Sequence, residues 1–147
     1  MEEKLVSKTK GLSKNESDST NEIGLANTLE LSDQNHPCDV YFDVLSQKHI
    51  DILDSFVSDY KKNIDRINGG LMEFLNITDS AEIDNFLNNS LDLDVIKIPE
   101  STNDYDLVVI CSKSSKVLFF KTKKSYAIEF KNKIVVRVTK GNGLEYA

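Results

Sequence analysis

The apolar positions of this chain change period twice. Asp39 to Leu45 reads as a strand after the loop Asn35-His36-Pro37. Ile50, Leu53, Val57, Tyr60, Ile64 and Ile67 then recur at helical spacing, and Phe56 widens the stripe. The spacing predicts one long helix from Gln47 to Asn68, with Ser46 as N-cap and Gly69-Gly70 as its stop. Leu71 to Asn76 would add a turn or two. Asp79-Ser80-Ala81-Glu82 has the form of a capping box and opens a short helix carrying Ile83, Phe86 and Leu87.

From Leu91 onward the pattern is that of strands. Leu91 to Ile98 alternates, slips between Val95 and Ile96, and stops at Pro99, which predicts a bulged strand or one covered on both sides. Tyr105 to Cys111 and Val117 to Phe120 are nearly continuous apolar runs. Ser125 to Phe130 places Tyr126, Ile128 and Phe130 on one side; Lys133 to Thr139 places Ile134, Val136 and Val138 on one side. The links expected between them are Ser112 to Ser115, Thr122 to Lys124, and a turn around Lys131-Asn132. Links this short join antiparallel neighbours. A two-residue loop at Lys131-Asn132 would set Ile128 and Ile134 on opposite faces. An odd loop or a bulge is therefore predicted, with Asn132 a candidate for positive φ. The fold class that follows is α+β: helices packed on one face of a mainly antiparallel sheet with a C-terminal β-meander.

Ser13 to Asn21 contains no apolar residue, so residues 1–21 are expected to form a flexible tail and 22–147 a single α+β domain. No apolar run approaches the roughly 20 residues of a membrane span. With only Cys38 and Cys111 there is no disulfide framework. These features point to a cytoplasmic protein in a reducing compartment, with no membrane partner.

Net charge alters this picture. Its total of −6 divides into −13 from Met1 to Asp106 and +7 from Leu107 to Ala147. The acidic set around the second helix and the start of the sheet is Asp79, Glu82, Asp84, Asp92, Asp94, Glu100, Asp104 and Asp106. Such a face can dock a basic partner with electrostatically steered association, or it can be solvated surface. The basic set is Lys113, Lys116, Lys121, Lys123, Lys124, Lys131, Lys133, Arg137 and Lys140, with Phe119, Phe120 and Tyr126 nearby. It could bind RNA. However, only two arginines occur in the chain, and lysines at strand ends also keep sheet edges from aggregating, so nucleic acid is the weaker expectation.

Candidate chemistry is sparse. Leu91-Asp92-Leu93-Asp94-Val95 places two carboxylates on one face of a strand, and Glu129 could supply a third for Mg²⁺. Over about ten residues this resembles the nucleotidyltransferase family, whose strand alternates hydrophobic and acidic positions, which would imply Mg²⁺-dependent transfer through Asp92, Asp94 and Glu129. The family also has a Gly-Ser turn shortly upstream; here the only glycine pair, Gly69-Gly70, is distant and followed by Leu71. Asp104 and Asp106 have the same spacing and fit a turn entering a strand. His36-Pro37-Cys38 brings two possible ligands close, but no further Cys or His completes a zinc site. A histidine beside Cys38 or Cys111 could form a nucleophile pair, without any visible oxyanion device. His49, near a helix start, reads as a surface residue. No catalytic, cofactor or metal residue is assigned. The sequence favours a non-enzymatic protein-binding module, such as an immunity protein or antitoxin that occludes a basic toxin through Asp79, Glu82, Asp84, Asp92, Asp94, Asp104 and Asp106.

Overall fold

The structure, a computed structural model, describes residues 5–14, 23–117 and 120–146. It is α+β, as the alternating periods require. Among the described residues seven strands form one sheet in sequence order: β1 (Leu12–Lys14), β2 (Ala26–Leu29), β3 (Cys38–Phe42), β4 (Leu91–Ile98), β5 (Leu107–Val117), β6 (Phe120–Lys131) and β7 (Ile134–Lys140). All neighbours are antiparallel except β3 and β4. That parallel pair is bridged by α1 (Gln47–Ser58), α2 (Tyr60–Phe74) and α3 (Ser80–Asn88), consistent with the need of parallel strands for a long crossover. The core lies between these helices and one sheet face. Ile50, Leu53, Ile67 and Leu71 from the helices meet Val40, Leu93, Ile96, Val109 and Ile128 from the sheet. No helix among the described residues is long and apolar enough to cross a membrane.

The helix expected as one piece is two. Asp59 leaves helical geometry at φ −100° and ψ 27°. Asn63, buried in α2, donates its side-chain amide to the carbonyl of Phe56 at 2.8 Å, satisfying a group that the end of α1 would otherwise orphan. Nor do Gly69 and Gly70 stop the helix; they lie inside α2. A Cβ on Gly70 would come within 3.2 Å of Val135, so this glycine lets α2 approach β7 closely.

The expected bulges are present. In β4 the register shifts between Leu93 and Val95, so the extra residue is Asp94, one position before the slip in the pattern. The β6–β7 turn is Asn132-Lys133, at φ 51° and 68°, and a bulge follows between Glu129 and Phe130. It pairs Phe130 with Val135 and Ile128 with Val138 over the core, and leaves Ile134 and Val136 exposed on the edge strand. Only Val138 of the three expected inward valine and isoleucine positions packs inward.

Two expectations change in the meander and at the N-terminus. Ser112–Ser115 and Thr122–Lys124 are not loops: β5 and β6 run through them as one long hairpin whose backbone groups pair across the strands despite the polar sequence. Leu118 and Phe119 lie outside the described residues. Of the expected tail, residues 5–14 lie against the fold. β1 pairs with β2, and Asp54 of α1 accepts hydrogen bonds from the Ser7 and Thr9 hydroxyls at 2.6 and 2.7 Å. Residues 1–4 and 15–21 of that tail are outside the described residues.

The second sheet face is partly covered by the segment that follows β7. Val108, Ile110 and Ala127 are buried there beneath Val95, Tyr105 and Tyr146. The Tyr146 ring meets Tyr105 edge-on at 5.9 Å, its hydroxyl donates to Glu129, and its carbonyl accepts from the Lys97 ammonium. Gly143, at φ 75°, sits so close that a Cβ would fall 2.2 Å from Ile110 Cδ1. Gly143→Ala should therefore lift this strap at a local cost of about 1–3 kcal/mol. Faster tryptic cleavage at Lys140 would report it; an unchanged cleavage rate would show that the contact does not hold the segment.

Candidate functional site

The seven acidic residues singled out by sequence do not form one face. Asp79 is the N-cap of α3, its carboxylate accepting from the Glu82 backbone N–H at 3.2 Å. Glu82 and Asp84 are exposed on the same helix. Asp92 faces Lys123 at 3.4 Å. Asp94, the bulge residue, is held between His36 Nε2 at 2.9 Å and the Ser112 hydroxyl at 2.8 Å. Asp106 lies 3.4 Å from the Lys131 ammonium and accepts from the Asn132 N–H at 2.8 Å. Asp104 and Glu100 are exposed. Asp106 precedes the first residue of β5, whereas α3 lies over Lys113, six residues along. That places the two groups roughly 20 Å apart along the strand.

The three carboxylates expected to share a metal are not brought together. Val95 pairs with Ile110 and Ile110 with Ala127, so Glu129 lies two strands away from β4 and further along it. Glu129 is buried against the Tyr146 hydroxyl and 3.6 Å from Arg137. Among the described residues no three His, Cys, Asp or Glu side chains are placed to hold a metal ion. The basic set is also dispersed. Lys131, Lys133 and Arg137 face Asp106, Asp59 and Glu129, and Lys113 is buried beneath α3.

The histidines and thiols have structural surroundings. His49 is buried rather than exposed: Nε2 donates to the Glu100 carbonyl at 3.0 Å, which leaves Nδ1 to accept from the Ser46 hydroxyl at 2.5 Å. Burial keeps both thiols protonated, with the Asp39 and Asp94 carboxylates adding to the effect at Cys38. The apolar hollow on the second sheet face, about 460 Å³, is lined by Tyr41, Val95, Val108, Ile110 and Tyr146. Its nearby cation, Lys97, is held by Asp43 at 3.5 Å.

What the chain sets apart is the stretch that forms α3 and the last turn of α2, although in space Arg66 and Arg137 line a hollow with Phe74. No Lys, Arg or His occurs from Ile67 to Ile96, a stretch that contains Glu73, Asp79, Glu82, Asp84, Asp92 and Asp94. Phe74, Leu75 and Leu87 are exposed there at 43%, 38% and 49%. Asp84 and Leu87, three residues apart on α3, share one helix face. Sequence reasoning gave these three residues no surface role, because helical spacing alone does not show which apolar positions a neighbour covers. The unbroken absence of cations was the available signal. Comparison with protein families, curated proteins and solved structures finds no match to this chain.

Proposed function

We propose that the protein is a non-catalytic protein-binding module that uses the α2–α3 end to cover a cationic site on a partner, as an immunity protein or antitoxin covers its toxin. One observation carries this reading: exposed Leu87 shares a face of α3 with exposed Asp84, in a stretch of sequence without Lys, Arg or His. An apolar centre supplies affinity when it is desolvated, and a charged surround supplies orientation and speed of encounter. Glu82 and Asp84 are the carboxylates to test, because Asp92, Asp94 and Asp106 already have partners within the chain.

Affinity purification from the native host provides the test, with the wild-type chain and the variant Glu82→Lys/Asp84→Lys/Leu87→Ala run in parallel. A cationic partner retained by the wild type should bind the variant at least tenfold more weakly, chiefly through slower association. A partner that binds both equally would remove the α2–α3 end from the function.

A further inference from the structure

The β5–β6 hairpin outruns the sheet. Pairing of β4 with β5 ends at Leu91 and Lys113, with one more bond from the Ser114 N–H to the Ser90 carbonyl at 3.1 Å. On the other side the last bond joins the Gly141 N–H to the Ser125 carbonyl at 2.9 Å. Among the described residues Ser115–Val117 and Phe120–Thr122 pair only with each other, so an arm extends roughly 10 Å past β4. Phe120, near the tip, is 72% exposed, and Lys123 and Lys124 are exposed on the returning strand. From Leu107 to Ile128 the chain has no acidic residue and five lysines. Exposed Phe120 with Lys124 gives the described part of the arm an apolar and basic surface.

The surface that complements it is on the same chain and at the same end. The α3 ring of Phe86 lies 4.2 Å from the Lys113 ammonium, at the last rung before the arm. Phe74 meets Tyr126 edge-on at 6.3 Å, and Asp92 faces Lys123. The exposed Glu82, Asp84 and Leu87 of α3 therefore stand near the base of an arm that exposes Phe120, Lys123 and Lys124. Two adjacent patches, opposite in charge and both apolar at the centre, form a self-complementary surface. A two-fold axis between two copies brings arm onto helix twice.

We infer that the occupant of this end is a second copy of the chain, each β5–β6 arm lying across the α2–α3 end of the other. The inference stands on the arm and does not depend on the toxin reading. The two share α3, so a cationic partner and a second copy would compete for it.

The test needs only the full chain. Light scattering after gel filtration at low salt should give twice the 16.6 kDa of one chain, falling toward one chain in about 0.5 M NaCl. Lys123→Glu/Lys124→Glu and Glu82→Lys/Asp84→Lys should each raise the dimer dissociation constant at least tenfold, and so should Phe120→Ser. An equimolar mixture of the two charge-reversed proteins should dimerise again, since each then offers the complement of the other on both contacts. That recovery also shows that both variants fold. A wild type that stays at 16.6 kDa, or reversed variants that dimerise unchanged alone, would overturn the inference. So would a mixture that stays monomeric. None of these outcomes bears on whether Glu82 and Asp84 bind a cationic partner.

Discussion

Ile96→Ala is expected to lower stability by about 3 kcal/mol, a shift readily seen in the urea midpoint. Ile96 is fully buried at the middle strand, paired with Val40 on β3 and Val109 on β5, both also fully buried. Removing its branched side chain leaves a cavity under α1 that neighbours on two strands cannot collapse to fill. A domain of this kind holds only about 5–15 kcal/mol in total, so one such change takes a large share. The contrast is Ile134→Ser. Ile134 is also an isoleucine in an apolar strand run, yet it is 59% exposed on the edge strand, and its replacement should cost no more than about 0.5 kcal/mol. Equal costs at the two positions would mean that the β6–β7 register described above is wrong.

Asn68→Leu should destabilise by about 2 kcal/mol at neutral pH, and the loss should shrink above pH 8. The Lys113 ammonium is buried with its hydrogen bond to Asn68 Oδ1 at 3.0 Å and its contact with the Phe86 ring, and burial lowers its pKa to about 8. Leucine would leave that charge with the aromatic ring alone. The unfolded lysine ionises at 10.5, so between about 8 and that value the unfolded chain binds the extra proton and stability rises with pH. Above pH 9 the opposite sign takes over: the unfolded thiols of Cys38 and Cys111 release protons that the buried ones keep. Two groups then act against one, which puts the stability maximum near pH 9. In the Asn68→Leu background, Lys113→Met should restore stability and flatten the profile below pH 9, because it removes the charge that had lost its partner. Denaturant midpoints across pH 6 to 10 would check this. A loss that does not vary with pH would show that Asn68 acts through packing rather than through the ammonium.

The elements themselves were legible. The stripe from Ile50 to Ile67 and the alternation around Ile128 are local relations, and they appear as α1, α2 and β6. Both bulges were also legible, because a slip in a two-residue period requires an inserted position. The break at Asp59 was not, since it depends on a carbonyl of Phe56 being satisfied by Asn63 from the next helix. Gly69-Gly70 reads as a helix stop until β7 is seen to pack against it. The long hairpin was hidden for a similar reason: Ser112–Ser115 has the composition of a loop, and only its cross-strand partners make it a strand.

The candidate site divides along the same line. By itself the sequence determined the α+β class, the segregation of acidic from basic stretches and the buried stripes, because these are encoded in spacing along a few neighbouring residues. Tertiary structure decided which carboxylates are free. Asp94 meets His36 from 58 positions away, and Asp106 meets Lys131 from 25 positions away. Register and strand order set those encounters, and neither is written in the local pattern. They left Glu82 and Asp84 exposed on α3.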